Sequence, residues 1–245
     1  EIAVFEALAA RDAEAKAAGV MLLPGAGFDV VPSDCLAAHL HRRLPTATHL
    51  TLGIRSLGGG LSRGTALTTV ESLGAVTVVR RNGQLVSAPI GSLRRRIDFG
   101  RGPKDCVAIG WGDVSTAYHS TGIPNIEVYF YFPPNMIRAM AASRYATRLL
   151  KSRPVQGLLK AGIRRGLTGP SAEQRTQGGS LLWGEVVDDR GQRAVSRLRT
   201  AEGYTLTAQT ALVAAEKALS GAAKPGFQPP SLAFGPDFLL EFAGV

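Results

Sequence analysis

The segment VMLLPGAGFDVVPSD, residues 20–34, carries the clearest structural signal in the chain. Its first four residues form a continuous apolar run, which is typical of a buried strand in a parallel sheet. Two glycines follow, and the helical pattern of Cys35–Arg43 comes next, with Ser33 or Asp34 available as its N-cap. A strand, a glycine loop and a helix in this order predict one unit of an α/β layer.

The residues before this segment predict a helix. Ile2–Ala18 is rich in Ala, Glu and Lys, and Gly19 stands where that helix would end. The chain opens at Glu1 rather than at Met, and no N-cap residue precedes the helix. We therefore expect this chain to be the later part of a longer polypeptide, and thus truncated.

Beyond Arg43 the sequence changes from α/β to α+β character. Strand patterns cover 48–57, 75–80, 85–87, 106–110, 126–132, 180–187 and 194–200, and hairpin turns are predicted at 81–84, with Asn82-Gly83, and at 188–191. Helical patterns run from Ser62 to about Leu73, from Pro133 to Gly166 with a break near Pro154, and from Tyr204 to Ser220. The polar residues 168–179 predict a loop. We therefore expect an α/β part joined to a mixed, largely antiparallel sheet domain covered by helices.

The composition is that of a globular protein. The 245 residues are 45% hydrophobic and 19% charged, which excludes a disordered or fibrous chain. The uncharged stretch 115–126 falls short of the ~20 apolar residues of a membrane-spanning helix, and residues 1–11 lack the features of a secretory signal. Cys35 and Cys106 are far apart without CxxC or His-rich neighbours, so we expect reduced thiols, no metal site and a cytoplasmic protein.

The charge is basic and unevenly distributed. A net charge of +9 favours anionic partners such as phosphates, nucleic acid or lipid head groups. No acidic residue lies between Glu127 and Glu173, but the interval holds Arg138, Arg144, Arg148, Lys151, Arg153, Lys160, Arg164 and Arg165. With interleaved apolar residues, this segment predicts either a basic amphipathic surface that lies on anionic lipid or a helix pair with a basic outer face. Tyr145 is the sole aromatic of 138–165, which argues against a nucleic-acid surface.

The glycine loop is a candidate ligand site. Gly25 and Gly27 lie between the predicted strand and helix, where a backbone without side chains lets a ligand approach closely. Ligands of open α/β sheets bind at the carboxyl ends of strands, where this loop would lie. The alternative is a tight turn with Asp29 as a turn residue and Asp34 as a cap. The loop is neither a GxGxxG fingerprint nor a Walker loop.

A second candidate is the segment WGDVSTAYHSTGIPN, residues 111–125, which contains Asp113, Tyr118 and His119. His donates protons near neutral pH, and Tyr does so when a neighbouring cation lowers its pKa. The alternative is structural, with Asp113 capping a helix and with Tyr118 and His119 standing between helix and sheet. No Tyr-x-x-x-Lys pattern is present, which argues against a short-chain dehydrogenase mechanism.

Two groups of arginines are candidate anion sites. Arg63 follows the triple glycine 58–60 near the start of a predicted helix, where its planar guanidinium suits a carboxylate or a phosphate. A solvated first-turn arginine is the alternative. Arg94–Arg96, with Arg101 and Lys104, form another cluster, for which a surface face is the ordinary explanation.

Three segments resemble a known family. GFDVVPSD, residues 27–34, resembles the GFDxxPSD signature of the saccharopine dehydrogenase-like oxidoreductases. Residues 111–125 resemble a second signature, of the bacterial branch of that family, and the ending FGPDF, residues 234–238, resembles the same branch. The matches follow the family's order and cover essentially the whole chain.

The resemblance implies an N-terminal Rossmann domain that binds NAD or NADP, with residues 27–34 near the nicotinamide end. Under this reading we place Gly25, Gly27, Phe28 and Asp29 near the cofactor and a proton donor at Tyr118 or His119. We also assign substrate contacts to Asp113 and, on the chemistry of its guanidinium, to Arg63. The GxGxxG-type turn and the ribose-binding residue would precede Glu1, and neither is in this sequence. The implied division is 1–45 for the end of a Rossmann-like domain, 46–202 for a substrate and dimerisation domain, and 203–245 for a helix and tail that return to the first part.

The implied activity is hydride transfer between a nicotinamide and a C=O, C=N or C=C acceptor. The implied partners are a small-molecule, acyl or lipid-like substrate and a second copy of the chain, paired through the central sheet. The alternative is a non-catalytic module for dimerisation or for contact with an anionic membrane surface. We expect a cytoplasmic location. If the protein is instead the non-catalytic module, we expect peripheral contact with the membrane as well.

Overall fold

The computed structural model describes residues 1–58, 62–71, 76–222 and 224–245, with Glu71 and Ala222 described by their backbone alone. The α-helices are α1 (Ile2–Ala9), α2 (Asp12–Ala17), α3 (Val31–Arg43), α4 (Arg63–Glu71), α5 (Asp113–Thr121), α6 (Pro134–Ser143), α7 (Thr147–Leu150), α8 (Arg153–Gly166), α9 (Ala172–Gln177), α10 (Gly203–Lys217) and α11 (Pro230–Phe234). The strands are β1 (Met21–Leu22), β2 (Ala47–Leu57), β3 (Val76–Arg81), β4 (Gln84–Pro89), β5 (Arg94–Asp98), β6 (Pro103–Ala108), β7 (Asn125–Tyr131), β8 (Gly179–Asp188), β9 (Arg193–Ala201) and β10 (Gly226–Phe227). The 3-10 helices Arg144–Ala146 and Phe238–Glu241 and a kinked turn at Ala218–Ala222 complete the assignment. The expected helix end at Leu73, the strand start at Ala75 and the triple-glycine members Gly59 and Gly60 lie outside the described residues.

Eight strands form one mixed sheet. The order is β4-β3-β7-β2-β8-β9, with β6 beside β7 and β5 beside β6. β2 and β7 are parallel, and the other neighbouring strands are antiparallel. Asn82 and Gly83, with φ of 47° and 78°, form the predicted hairpin turn between β3 and β4, and β8 and β9 form the second hairpin. The predicted fold class is confirmed.

The sheet has a helix-covered inner face and an outer face that the β5–β6 hairpin crosses. Leu50, Leu52 and Ile54 alternate along β2 toward the inner face, where they pack with α3 and α5. Gly53 faces the other way, and a Cβ there would lie 2.8 Å from Cδ1 of Ile97 in β5. The absence of a side chain at Gly53 therefore lets the hairpin lie close to the sheet.

A smaller unit stands beside the large sheet. β1 and β10 form a parallel pair in which Met21 and Leu22 lie beside Gly226 and Phe227. A buried apolar cluster joins α3, α10 and the 3-10 helix at Phe238–Glu241. The C-terminal tail therefore packs on the predicted α/β part.

The predicted single helix over 2–18 is wrong. Arg11 leaves helical geometry, with φ −97° and ψ 12°, so α1 and α2 are separate helices. Asp12 Oδ1, at the start of α2, accepts the backbone N–H of Phe227 in β10 at 2.8 Å. This partner is 215 residues away, so the interaction is tertiary and the local pattern does not contain it.

The predicted N-cap of α3 is also wrong. The helix begins at Val31, and Val30 is its N-cap. The N–H groups of both residues donate to the carbonyl of Gly27 and so form a tight turn before the helix. This tight turn starts the helix before Ser33 and Asp34 are reached. Their side chains are therefore available for partners on other helices.

β5 and α9 are among the elements that the patterns did not predict. β5 begins with three arginines that hide the strand alternation, although Ile97 is buried and Arg96 and Asp98 are exposed. α9 lies within the predicted loop and begins with a capping box, in which Ser171 and Gln174 exchange hydrogen bonds. The Ser-x-x-Gln spacing is a sequence signal for this helix start.

Candidate functional site

The loop between β1 and α3 is shaped by contacts within the protein. Gly25 has φ of 68°, and a Cβ there would lie 2.3 Å from Cγ2 of Val30. A Cβ at Gly27 would lie 2.8 Å from Cγ2 of Thr207 in α10. Close packing therefore requires glycine at both positions, independently of any ligand.

The loop lies against the beginning of α10. The Phe28 N–H donates to Thr207 Oγ1 at 3.0 Å, and the Thr210 hydroxyl donates to the Ala26 carbonyl at 2.8 Å. The Phe28 ring packs on Gly203, where a Cβ would come within 3.2 Å of the ring. The first turn of α10 is thus the neighbour of the predicted cofactor loop.

A chain of hydroxyl groups continues from this turn. The Tyr204 hydroxyl oxygen accepts the N–H of Ser62 at 2.7 Å and lies 2.9 Å from Thr65 Oγ1. Ser62 Oγ lies 2.9 Å from the same Thr65 oxygen and accepts the Thr65 N–H at 3.1 Å, which caps α4. Glu202 fixes the position of Tyr204 by accepting the first N–H groups of α10. We refer to Ser62, Thr65 and Tyr204 as the Tyr204 hydroxyl cluster.

Two predicted site residues are adjacent in sequence to the residues that form these contacts. Arg63 is the first residue of α4 and lies between Ser62 and Thr65 in sequence. It is exposed, and its side chain makes no ion pair within the described part of the chain. Asp29 follows Phe28 and reaches solvent, yet nearby protein atoms raise its pKa to about 6, and the Glu1 carboxylate adds to the effect. The candidate site therefore combines an exposed cation, a carboxyl that titrates near neutral pH and a chain of hydroxyls.

The members of the hydroxyl cluster were missed by sequence reasoning. The pattern before α4 predicts Ser62 as a cap, which the structure confirms. Nothing local links Ser62 or Thr65 to Tyr204, because these partners are 142 and 139 residues apart in the chain.

Tyr118 and His119 lie at a different place, between α1, β10 and the β3–β4 turn. The guanidinium of Arg80 lies 4.2 Å above the Tyr118 ring and is paired with Glu6 of α1. His119 packs edge-on against Phe227, with ring centroids 4.9 Å apart. Burial lowers the pKa of His119, Arg80 lowers it further and Glu6 opposes the change. Within the described residues, no hydrogen bond or ring contact joins this pair to loop 25–29.

Two of the four aspartates in the family-like segments, Asp34 and Asp113, are buried. Asp113 accepts the Ser33 hydroxyl at 2.6 Å, and full burial raises its pKa well above the ordinary value. Asp34 accepts the Ser120 hydroxyl at 2.6 Å and the Ser231 N–H at 2.8 Å. Asp34 therefore caps α11 instead of its own helix. Asp113, predicted to contact substrate, is placed out of reach of solvent.

Two open clefts lie on the outer face of the sheet. One has a volume of about 330 Å³ and is lined by Arg94, Arg95, Arg96, Asp105, Pro134, Ile137 and Arg138. The other has a volume of about 640 Å³ and is lined by His49, Thr51, Arg81, Arg95, Glu127, Glu185, Val187, Asp188 and Asp189. Ion pairs engage Arg95 with Glu185 and Arg81 with Glu127. The clefts contain no predicted catalytic or cofactor residue among their described lining residues.

Loop 25–29 does not fit the pyrophosphate of NAD or NADP. A glycine turn that binds pyrophosphate keeps its backbone N–H groups free for the ligand. Here the Phe28 N–H is donated to Thr207, and the Val30 and Val31 N–H groups, just after the loop, are donated to the Gly27 carbonyl. The side chains of Val30 and Thr207 lie against Gly25 and Gly27, and the exposed Asp29 carboxylate would repel a pyrophosphate. The part of the loop that remains available to a ligand is therefore its exposed edge, which carries the Asp29 carboxyl.

The described ranges contain neither a cluster that could hold a metal ion nor a helix that could span a membrane. No group of three His, Cys, Asp or Glu side chains there is placed to hold a metal ion. Cys35 and Cys106 are buried free thiols. The described helices include none that combines the length and the apolar character needed to cross a membrane.

The fold is similar to that of a solved structure. Neither protein-family models nor curated proteins match the sequence. The fold is similar to that of histidine-tagged apo saccharopine dehydrogenase (L-Glu forming) from Saccharomyces cerevisiae, with a TM-score of 0.52 and 10% identity. The similarity covers 95% of this chain and 73% of the yeast chain. It supports a saccharopine dehydrogenase-like, Rossmann-related fold.

Proposed function

We propose that this chain forms the substrate side of a nicotinamide-dependent oxidoreductase of the saccharopine dehydrogenase type. The observation that carries the proposal is the packing of Phe28 on Gly203, the residue before Tyr204, whose hydroxyl belongs to the Tyr204 hydroxyl cluster. A ligand at this junction would meet the Asp29 carboxyl, the hydroxyls and the exposed Arg63 guanidinium. Distant fold similarity supports the class of enzyme.

Tyr204 is the proton donor in this proposal. The Ser62 N–H at 2.7 Å stabilises negative charge on the Tyr204 oxygen when its proton leaves. The Thr65 hydroxyl, 2.9 Å away, then returns a proton from Ser62 and, beyond it, from solvent. Tyr204 is favoured over Tyr118 and His119 because Gly203 and Thr207 of its helix contact the loop, whereas the other two pack against α1 and β10.

NAD or NADP supplies or accepts the hydride in this class of enzyme. Because loop 25–29 does not fit the pyrophosphate, we propose that it contacts the nicotinamide half alone, through Phe28 and Asp29. Arg63 is placed to bind a carboxylate or phosphate of the substrate through its planar set of donors. An acyl or lipid-like substrate is part of the proposal, and a homodimer stays a prediction.

The proton-donor assignment is tested with two conservative variants. The purified protein is screened for loss of NADPH absorbance with ketones, imines and 2-enoyl thioesters. We expect Tyr204→Phe to lower kcat about 100-fold or more, the contribution of a positioned general acid. The matched variant Tyr118→Phe is expected to stay within about threefold of the parent, because its ring contacts are kept. Loss of turnover in Tyr118→Phe with retention in Tyr204→Phe would move the donor back to α5.

A further inference from the structure

The helices between β7 and β8 carry a strong positive charge. Residues 134–166, here called the basic segment, contain α6, α7 and α8. They include eight Lys and Arg and no acidic residue. The segment thus has no internal anions to neutralise its cations.

Apolar side chains of the basic segment project into solvent. All of α8 is described, and none of its residues is buried. Its contact with α4 includes a hydrogen bond from Gln156 Nε2 to the Val70 carbonyl at 2.9 Å. Leu158 of α8 is 75% exposed, Leu149 of α7 is 63% exposed and Tyr145 is 80% exposed. Three large, exposed side chains of apolar character thus lie within fourteen residues of the chain.

Cations surround these apolar groups. Arg165 lies seven residues after Leu158 and therefore shares its helix face. Arg148 and Lys151 flank Leu149 in α7 and at its end, and both are exposed. Within the described residues, neither they nor Arg165 form an ion pair. Long basic side chains beside leucines can keep their charges at lipid phosphates while the leucines enter the bilayer boundary.

We propose that the basic segment is a docking surface for an anionic lipid bilayer. The complement of the exposed cations Arg148, Lys151 and Arg165 is a surface of acidic headgroups, and the complement of Leu149 and Leu158 is the boundary between headgroups and acyl chains. A nucleic acid would satisfy the charges alone, since Tyr145 is the sole aromatic available for stacking between 138 and 165. The proposal is independent of the oxidoreductase function, because no residue of the candidate site lies in the segment.

The test is co-sedimentation of the full chain with vesicles of phosphatidylcholine, with and without phosphatidylglycerol. We expect binding to the phosphatidylglycerol vesicles only. Raising NaCl from about 0.1 M to about 1 M shortens the Debye length from about 10 Å to about 3 Å and is expected to release most of the protein. No binding to either vesicle, or equal binding to both, overturns the proposal.

Charge variants localise the surface. Arg148→Glu, Lys151→Glu and Arg165→Glu are combined, and each reversal removes about fivefold or more in affinity at the membrane surface. We expect at least about a hundredfold lower partitioning from the three together. Arg11→Glu, Arg101→Glu and Arg190→Glu form the matched control, since they change net charge equally at exposed sites outside the segment. Equal losses in the two triple variants would show that total charge, and not the basic segment, drives binding.

Apolar variants distinguish a bilayer from other polyanions. Leu149→Ala with Leu158→Ala keeps every charge, and exposure of both leucines means that the fold loses little. We expect about tenfold or more weaker vesicle binding, from the methylene groups that no longer enter lipid. Unchanged vesicle binding, together with tight binding of duplex DNA by the parent, would instead identify a general phosphate-binding surface and overturn the proposal.

Discussion

At the scale of single residues, two glycines share a backbone conformation but differ in their surroundings. Gly19 and Gly25 both have φ of 68°. A Cβ at Gly25 would lie 2.3 Å from Cγ2 of Val30, whereas a Cβ at Gly19 would meet no atom within 4 Å. The pair therefore separates the cost of a left-handed backbone from the cost of a collision.

Gly19→Ala is expected to lower the free energy of unfolding by about 1–2 kcal/mol, the cost of the left-handed region for an L-residue. Gly25→Ala adds the collision with Val30, so we expect a loss of about 2–5 kcal/mol. Urea denaturation of the two variants measures the difference. Equal losses would contradict the assigned packing of Gly25 on Val30.

Asp29 makes stability depend on pH. Its pKa is about 6 in the folded chain, against an ordinary value of 3.8. Between these values the folded chain holds a proton that the unfolded chain has lost, so stability falls as pH rises through this window. We expect Asp29→Asn to be more stable than the parent above about pH 6, with no such gain below about pH 4.

Two measurements check the behaviour of Asp29. The carboxyl carbon chemical shift is expected to titrate with a midpoint near 6. Urea denaturation across the same pH range compares Asp29→Asn with Glu14→Gln, an exposed acid on α2 that serves as the control. A midpoint near 4, or the same gain in both variants, would remove Asp29 from the groups that titrate near neutral pH.

At the scale of secondary-structure elements, single carboxylates join elements that are distant in sequence. Asp12 connects α2 to β10, and Asp34 connects α3 to α5 and α11. An element can be predicted from sequence when local residues determine it, but not when it depends on a contact of this distant kind. The turn at Asn82-Gly83 is local chemistry and was predicted, whereas the break between α1 and α2 accompanies a tertiary contact and was not.

Asp12→Ala removes the acceptor of the Phe227 N–H. We expect a loss of about 1–2 kcal/mol in the free energy of unfolding and faster hydrogen exchange at the Phe227 amide. Lys16→Ala is the matched control, because it removes the exposed ion pair with Asp12 and keeps the Phe227 hydrogen bond. Its expected cost is below about 0.5 kcal/mol, with protection at Phe227 unchanged. Equal exchange rates in the two variants would contradict the role of Asp12.

At the scale of the whole molecule, the chain's end is part of the core. Phe238 is 1% exposed between Phe234 and Phe242, in the cluster that includes α3 and α10. Leu240, two residues later, is 66% exposed. Specific buried side chains such as Phe238 therefore anchor the tail. Exposed side chains close to them in sequence, such as Leu240, provide controls for their substitution.

Phe238→Ala is expected to cost about 3–5 kcal/mol, as large core truncations do. Leu240→Ala removes an exposed side chain and is expected to change stability by less than about 0.5 kcal/mol. Chemical denaturation followed by circular dichroism measures both. Similar stability of the two variants would show that the C-terminal segment does not support the fold.

The large sheet could be predicted from sequence, but the candidate site could be predicted only in part. Alternating apolar residues and hairpin turns are local signals, so β2, β7 and the β8–β9 hairpin were predicted. The loop at Gly25–Asp29 was singled out because its glycines are contiguous with a strand. Tyr204 was not singled out, because only the folded chain brings its partners Ser62 and Thr65, at the beginning of α4, within hydrogen-bond distance of its hydroxyl.

We propose above that a ligand site lies where loop 25–29 meets the beginning of α10, beside the Tyr204 hydroxyl cluster. Heteronuclear NMR of the labelled chain, titrated with reduced nicotinamide mononucleotide, tests it without knowledge of the substrate. We predict shifts of the backbone amide signals of 26–29 and 203–207, with the signal of Tyr118 unchanged. Shifts confined to Tyr118 and His119 or to the clefts around Arg95, or no shifts at all, would contradict the claim.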